Sequence, residues 1–289
     1  MNRHYMSNEY KVLCDETNNY SKRVNNRGES SNGWIIVDSR HDTKSNFKGV
    51  LYYKNGQYAM CFAGTDSKSR KDVIADLKIW LTGNDKQITK AQEFAKDMMR
   101  KYPEINSNNT VSIGHSEGGT EATVVGVNNG LKTYTYNALK VGDKYVDKKK
   151  DYGDWVTNYR DPGDPVSKLG ANVGDTYIVP SSKEYVTKPS KFGIVQAHRV
   201  ENMGDCTKCV TPDEYKSKEP NFINSISNVN ITQEDIGKMP SEIYRIYEKE
   251  IDNRVAQGKI KSANQYNSPA SSTDGKWVTI NGNHVLIKD

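Results

Sequence analysis

The clearest hydrophobic pattern in the chain is a pair of short apolar runs, residues 50–54 and 58–63, on either side of Asn55-Gly56. Asn-Gly between two apolar runs is typical of a two-residue hairpin turn, because both residues tolerate the left-handed backbone that this turn requires. The pattern therefore predicts a β-hairpin.

Further along, short apolar runs alternate with helical patterns. Residues 89–101 carry apolar side chains at helical spacing, and Pro103 ends that helix because proline lacks a backbone N–H. A small-residue stretch at 120–127 predicts a second helix. Strands are predicted at residues 110–113, 133–138, 154–159 and 176–179. Strands separated by such crossovers favour an α/β fold with a mostly parallel sheet flanked by helices.

The two ends of the chain depart from this alternation. Residues 1–33 are polar and predict a short helix around Asn8–Lys22 followed by a loop. We therefore expect a main domain, residues 1–205, and a C-terminal extension, residues 206–289. The extension is expected to contain a loop at 206–240, a helix at 241–256, a polar linker at 259–275 and an Asn-Gly hairpin at 276–287.

Charge and apolar content narrow the classes of partner. The net charge of +5 favours anionic partners such as a phospholipid surface, whereas no basic cluster interleaved with aromatic residues indicates a nucleic-acid partner. No apolar run reaches the roughly 18 residues of a membrane span. Residues 1–22 also lack the apolar core of a signal peptide. We therefore expect a cytoplasmic or virion-associated protein, with a membrane surface as a candidate contact.

Four cysteines are present, and none of them predicts a metal site. Cys61 lies in an apolar strand, where a buried free thiol is common. Cys206 and Cys209 form a single C-x-x-C, whereas a zinc ribbon needs a second such pair. A local disulfide and two unrelated thiols are the alternatives for this pair.

The segment Gly114–Gly118 fits G-x-S-x-G, the sharp turn that presents a nucleophilic serine. This turn requires a strand before it and a helix after it, and both are predicted here. The N-terminus of the departing helix carries partial positive charge, which favours an oxyanion. Ser116 is therefore the candidate nucleophile, and a purely structural glycine-rich turn is the alternative.

A serine hydroxyl is a weak nucleophile until a neighbouring base accepts its proton. In the α/β-hydrolase order of serine, acid and histidine, only His198 and His284 follow Ser116. His284 lies in the predicted terminal hairpin, beyond a polar linker. His198 follows an apolar run after the last predicted strand of the main domain, so we favour His198 as the general base.

The acid that orients the base is expected between Ser116 and His198, just beyond a strand. Asp164 is the favoured residue because the proline after it stiffens the loop. Asp161 is the alternative, and Asp143 fits the pattern less well. An aspartate before proline or glycine is also common in structural Asx turns.

Several segments between about residues 50 and 205 together resemble the class 3, fungal-type lipase family. Their order and spacing are more specific than any single segment, and the resemblance implies an α/β-hydrolase fold. The segments are Phe62–Thr65, similar to F-R-G-[ST]; Val73–Leu77, similar to W-x-x-D-L; Gly114–Gly119, similar to G-H-S-L-G-G; and Tyr159–Val166 and Ala197–Asn202, similar to the acid and histidine segments.

The resemblance implies a serine carboxylic-ester hydrolase that acts on lipid-like acyl esters, as a lipase or phospholipase. It assigns Ser116 as nucleophile, His198 as general base and Asp164 as the orienting acid. Thr65 and the backbone N–H of Glu117 would form the oxyanion hole. No metal or organic cofactor is expected.

The resemblance also places a lid at about residues 66–83. Its apolar residues Ile79, Trp80 and Leu81 are candidates for contact with an acyl chain or a lipid surface. Packing against the core is the alternative interpretation of these three side chains.

Three residues depart from the family pattern. Ala63 replaces an arginine, Val73 a tryptophan, and Glu117 an apolar residue after the nucleophile. A carboxylate at Glu117 would disfavour an oxyanion unless it points away. These departures concern the substrate more than the fold, so phospholipid or a small ester is as plausible a substrate as triacylglycerol.

Two other functions compete with the lipid-ester hydrolase. The C-terminal hairpin resembles a short tail of tailed-phage structural proteins and associated enzymes, which suggests contact with an assembly partner. The alternative function is therefore a non-catalytic hydrolase-fold module in a phage or mobile-element assembly or in surface binding. A peptidase or thioesterase is the third, since a triad fixes acyl transfer but not the leaving group.

Overall fold

The computed structural model describes residues 4–20, 31–64, 85–164, 167, 173–179, 197–218, 256, 276–280 and 283–287. The helices are α1 (Ser7–Asn18), α2 (Asp85–Lys101), α3 (Glu117–Asn129) and α4 (Pro212–Lys218). The strands are β1 (Ile35–Asp42), β2 (Phe47–Lys54), β3 (Gln57–Phe62), β4 (Thr110–His115), β5 (Lys132–Tyr136), β6 (Val156–Arg160), β7 (Asp175–Ile178), β8 (Lys276–Ile280) and β9 (Asn283–Ile287).

Within the described ranges, strands β1 to β7 form one sheet in their order along the chain. The pairs β1–β2 and β2–β3 are antiparallel, and every later pair from β3 to β7 is parallel. The sheet is therefore mostly parallel and is flanked by helices, as predicted. A parallel sheet places the carboxyl ends of its strands at one edge, where ligands of α/β folds usually bind.

The first predicted hairpin is confirmed by β2 and β3. Lys54 pairs with Gln57 across the turn. The backbone φ angles are 49° at Asn55 and 83° at Gly56, so both turn residues have the left-handed backbone that the Asn-Gly sequence favours. This local turn sets the register of the whole pair.

Successive side chains of β2 and β3 point to opposite faces of the sheet, and both faces are covered. Val50 and Tyr52 pack against α1, whereas Leu51 and Met60 pack in the cluster that contains α2 and α3. Burial on both faces explains why these strands read as nearly continuous apolar runs rather than as alternating patterns.

Strand β1 was not predicted from the sequence. Only its first three residues, Ile35–Val37, are apolar, and the rest are polar and partly exposed. It lies at the edge of the sheet and contains an irregularity between Ile36 and Asp38. An edge strand needs no continuous apolar pattern, because one of its sides faces no neighbouring strand.

Helix α4 lies in a stretch that was expected to be loop, so that expectation is wrong for residues 212–218. The backbone N–H of Glu214 donates to Thr211 Oγ1 at 3.2 Å, and the N–H of Thr211 donates to Glu214 Oε2 at 2.9 Å. This reciprocal pair is a capping box, and its Thr-x-x-Glu signature was present in the sequence.

The packing of described residues continues past the expected domain boundary. Cys206 is fully buried in the cluster that contains α1, and Val210 forms an isolated bridge with Ile178. The division at residue 205 stays a prediction. All four cysteines are free thiols, which confirms the buried thiol at Cys61 and excludes the local disulfide between Cys206 and Cys209 in this structure.

The C-terminal hairpin is confirmed at the level of the backbone, with β8 paired antiparallel to β9. Its likeness to a phage tail stays a prediction. The expected helix at 241–256, apart from Ala256, and the linker at 259–275 lie outside the described residues. In the parts of the chain that can be described, no helix is both long enough and apolar enough to cross a membrane.

Candidate active site

Ser116 lies in the sharp turn between β4 and α3, at the carboxyl edge of the sheet. Its backbone has φ 57° and ψ −125°, a strained conformation for a residue with a side chain. A Cβ on Gly114 would lie 2.0 Å from the carbonyl oxygen of Gly118, and a Cβ on Gly118 would lie 2.2 Å from that of Phe62. Both glycines are therefore required by the close approach of three chain segments.

The hydroxyl of Ser116 lies in line with a histidine and a carboxylate. Ser116 Oγ is 2.7 Å from His198 Nε2, and His198 Nδ1 is 3.1 Å from Asp164 Oδ1. A carboxylate only accepts, so Nδ1 carries the proton and Nε2 is left to accept from the serine. All three residues are buried, and Asp164 is completely so.

The two candidate acids have different partners. Asp164 Oδ1 faces His198, and its Oδ2 accepts from the backbone N–H of Ser167 at 3.1 Å. Asp161 Oδ1 accepts from the N–H of Gly163 at 2.7 Å, which is an Asx turn. The geometry therefore favours Asp164 over Asp161 as the acid, although both are buried next to each other in the loop after β6.

The remaining candidates lie elsewhere. Asp143 is exposed and pairs with Lys148. His284 lies in β9 and pairs with Thr279. Thr65, the expected second oxyanion donor, and Ile79, Trp80 and Leu81 of the expected lid lie outside the described residues.

Gly64 is the last described residue before Thr65, and it lies against the nucleophile. A Cβ built on Gly64 would come 2.9 Å from the carbonyl oxygen of His115 and 3.0 Å from Ser116 Cβ. The chain that leads to Thr65 thus passes directly beside the serine. Glu117, the other expected donor, is the first residue of α3, and the partial positive charge of a helix N-terminus favours an oxyanion.

Two residues that the sequence did not identify hold the backbone of His198. His115 Nε2 is 2.7 Å and Asn137 Nδ2 is 3.1 Å from the carbonyl oxygen of His198. Burial, together with the nearby charge of His198, lowers the pKa of His115 to about 3, so this imidazole is neutral at physiological pH. An asparagine directly after a strand was the only local signal for Asn137.

The geometry can be compared with known families. A family model described as a Tle-like phospholipase domain matches residues 27–216, which is 190 of the 289 residues. The chain belongs to the Tle-like phospholipase family. As a member, it is a carboxylic ester hydrolase of lipid esters, and the matched range contains Ser116, His198 and Asp164.

Solved structures of fungal lipases resemble part of this phospholipase-like chain. The native propeptide complex of Rhizomucor miehei lipase is 14% identical, covers 60% of this chain and 67% of its own, and has a TM-score of 0.41. Lipase II from Rhizopus niveus is 13% identical, with coverages of 59% and 78% and a TM-score of 0.45. A triacylglycerol lipase from Penicillium expansum is 15% identical, covers 60% of this chain and 77% of its own, and has a TM-score of 0.37. No curated protein sequence matches.

Besides Glu117, a second buried acidic residue lies near the start of α3 in the phospholipase-like domain. Glu121 follows Glu117 by one helical turn of α3, and both are buried. Among the residues that the structure describes, neither carboxyl oxygen of Glu121 has a hydrogen-bond partner. Burial, reinforced by the charge of Glu117, holds the pKa of Glu121 well above its usual value. Among the described residues, no group of histidine, cysteine and acidic side chains is arranged to hold a metal ion.

The crowding at the turn predicts the effect of Gly118→Ala. Its Cβ would meet the backbone oxygen of Phe62, which cannot rotate away, so we expect a loss of about 1–3 kcal/mol in the free energy of unfolding. Gly142→Ala is the matched control, because the nearest atom there is Tyr145 Cδ2 at 3.6 Å. Urea denaturation measures both, and equal stability of the two variants would contradict the crowding.

The buried carboxyl predicts a pH-dependent effect of Glu121→Gln. Folding raises the pKa of Glu121. The wild type therefore keeps its full stability at pH values below the pKa of this carboxyl in the unfolded state, and loses stability as the pH rises through its pKa in the folded state. Glutamine cannot ionise. We therefore expect the free energy of unfolding of the variant to rise relative to that of the wild type as the pH rises, by about 1 kcal/mol or more at pH 8.

Thermal unfolding from pH 4 to pH 9 measures this gain. Glu201→Gln is the control, because Glu201 is exposed. Parallel curves for wild type and Glu121→Gln across that pH range would show that Glu121 has the same pKa in the folded and unfolded states, and would contradict the raised pKa.

Proposed function

We propose that the protein cleaves acyl esters of phospholipids or similar lipids through a Ser116–His198–Asp164 triad and an acyl-enzyme. The observation that carries this proposal is the unbroken line of contacts from Ser116 Oγ through both ring nitrogens of His198 to Asp164 Oδ1. The line lies in a phospholipase family domain, at the sheet edge where α/β enzymes bind substrate.

Each group has one task in the first half of the reaction. His198 Nε2 accepts the proton of the serine hydroxyl while Ser116 Oγ forms a bond to the ester carbonyl carbon. Asp164 keeps the proton on Nδ1 and stabilises the imidazolium that forms. The ester C–O bond then breaks, the departing alcohol oxygen receives the proton from Nε2, and the acyl group remains on Ser116.

Water completes the second half. His198 Nε2 accepts a proton from a water molecule as its oxygen attacks the acyl carbon, and the proton returns to Ser116 Oγ when the fatty acid leaves. In both halves the carbonyl oxygen becomes negative. The backbone N–H groups of Glu117 and Thr65 would stabilise it, and the position of Gly64 beside Ser116 supports this assignment for Thr65.

A phospholipid suits the chain better than triacylglycerol. The family model is that of a phospholipase, and the net charge of +5 favours an anionic lipid surface. The departures at Ala63, Val73 and Glu117 also argue against transferring triacylglycerol specificity. The triad distances count against the non-catalytic alternative, because a module that only binds needs no aligned triad.

Replacing the nucleophile gives the direct test. We expect Ser116→Ala to abolish hydrolysis of p-nitrophenyl esters and of phosphatidylcholine and phosphatidylglycerol vesicles, with losses of about 10⁴-fold or more in kcat. Ser45→Ala, in the β1–β2 turn, is the matched control and should keep full activity.

The pattern of substrates then separates the related functions. Release of fatty acid from vesicles, with preference for long p-nitrophenyl esters, fits a phospholipase, whereas turnover of short esters alone fits a small-ester esterase. If the wild type hydrolyses none of these substrates faster than Ser116→Ala does, the proposal is overturned.

The choice of acid is tested by a matched pair of variants. We expect Asp164→Asn to lower kcat by about 10³–10⁴-fold, because an amide facing Nδ1 favours the wrong tautomer of His198. Asp161→Asn keeps an oxygen that can accept from Gly163 and should lose less than about tenfold. Initial rates on one long-chain ester decide between them, and a larger loss at Asp161 would reverse the assignment.

A further inference from the structure

The backbone of the general base is held by the residue that precedes the nucleophile. His115 Nε2 is 2.7 Å from the carbonyl oxygen of His198, and the two imidazole rings are 5.0 Å apart between centroids. A carbonyl oxygen only accepts, so the hydrogen must be on Nε2. His115 therefore ties the end of strand β4, directly before Ser116, to the segment that carries His198.

Because His115 is neutral and has its hydrogen on Nε2, its Nδ1 must accept a hydrogen bond. Asn18 Nδ2 donates to it at 3.1 Å. The pKa of His115 responds to His198, which lowers it, and to Asp164, which raises it, while burial is the largest influence. An amide N–H at Nδ1 favours the neutral ring, because it offers a donor rather than an acceptor to this nitrogen.

The other half of the same amide faces the expected oxyanion hole. The backbone N–H of Gly64 donates to Asn18 Oδ1 at 2.9 Å. This bond fixes the orientation of the amide, since a reversed amide would place an NH₂ against the N–H of Gly64 and an oxygen against the lone pair of His115. A single side chain thus contacts both the segment that leads to Thr65 and the histidine that holds the base.

Asn18 is presented by a helix that is firmly attached to the sheet. At one end of α1, Ser7 contacts two strands: its carbonyl oxygen accepts from Tyr136 at 2.6 Å, and its hydroxyl is 2.5 Å from that of Tyr159. Near the other end, the hydroxyls of Thr17 and Tyr52 are 3.0 Å apart. The position of the Asn18 amide is therefore set by the packing of α1.

We propose that Asn18 is a positioning residue for the hydrolase reaction. Through Gly64 it holds the backbone that leads to the expected oxyanion donor Thr65, and through His115 it holds the general base His198. The inference rests on the proposed function. Helix α1 ends before residue 27, where the family match begins, so this chain would complete the site of the matched domain with a residue from outside it. Asn18 itself touches no reacting atom and acts through its two neighbours.

Kinetics of two variants test the role. Asn18→Leu removes both hydrogen bonds, and we expect kcat to fall about 10–100-fold with KM changed less than about threefold, because small misplacements of catalytic groups are costly. Asn19→Leu is the matched control, since among the contacts described the side chain of Asn19 bonds only to Asp15 of α1. Thermal unfolding confirms that each variant is folded.

Asn18→Asp separates positioning from general damage. It keeps an oxygen for the N–H of Gly64 but places a carboxylate against His115 Nδ1, which stabilises the imidazolium. In ¹⁵N-histidine NMR, we expect wild-type His115 to remain neutral with its hydrogen on Nε2 between pH 5 and 8, and to become protonated in this range in Asn18→Asp. The acidic limb of kcat/KM should then move to lower pH, because a positive ring beside His198 lowers the basicity of His198.

A second pair of variants tests the link through His115. His115→Gln retains an N–H for the carbonyl oxygen of His198, whereas His115→Leu does not, so we expect His115→Gln to keep a higher kcat than His115→Leu. Equal losses in the two variants would contradict a role for this hydrogen bond.

The outcomes distinguish the two proposals. A wild type no more active than Ser116→Ala overturns the proposed function and with it the catalytic role of Asn18. An active wild type matched within twofold by Asn18→Leu, or a wild-type His115 that titrates near pH 6.5, overturns the role of Asn18 alone. Loss of kcat in Asn18→Leu, with Asn19→Leu unaffected and His115 neutral, supports it.

Discussion

Three chain segments approach one another at van der Waals distance where β3 ends, β4 ends and α3 begins, and the candidate site depends on that approach. The carbonyl oxygens of Phe62 and Gly118 occupy the space that side chains on Gly118 and Gly114 would need. Ser116 must therefore adopt a left-handed backbone, with φ 57°. The same crowding brings Gly64 against Ser116, so one packing constraint positions both the candidate nucleophile and the residue before the expected oxyanion donor Thr65.

Burial of this turn shapes its electrostatics. The sheet is covered on both faces, so Asp164, Glu117 and Glu121 all lie away from solvent. Asp164 is compensated by His198 and by the N–H of Ser167. Glu121 has no hydrogen-bond partner in the described part of the chain, and its raised pKa favours the neutral acid. The Glu117 charge lies in the first turn of α3, where the helix dipole stabilises it.

The polar groups around the triad form a connected network. Asn137 bonds the carbonyl oxygens of Ala197 and His198 and accepts from the N–H of Asp161, so it joins the histidine segment to the acid loop. His115 and Asn18 extend the connection to Gly64. Each member uses its donors and acceptors on different chain segments, and such a network fixes relative positions more firmly than isolated pairs do. Helix α1, which lies before the matched family domain, is part of that network.

The sequence by itself determined the elements whose signals are local. Asn55-Gly56 specified a turn and a register. The glycines around Ser116 specified a strand–turn–helix, because a Cβ at Gly114 or Gly118 would clash with neighbouring backbone. Its motif order also pointed to Ser116, His198 and Asp164. The sequence favoured Asp164 but left Asp161 as the alternative, since proline follows both. The tertiary structure supports Asp164, because its carboxylate meets His198 whereas that of Asp161 meets the N–H of Gly163. It alone gave Asn18 and His115 their partners, because those hydrogen bonds join residues 97 and 83 positions apart, beyond any local pattern. The edge strand β1 became recognisable in the same way, through pairing with β2 rather than through its own apolar residues.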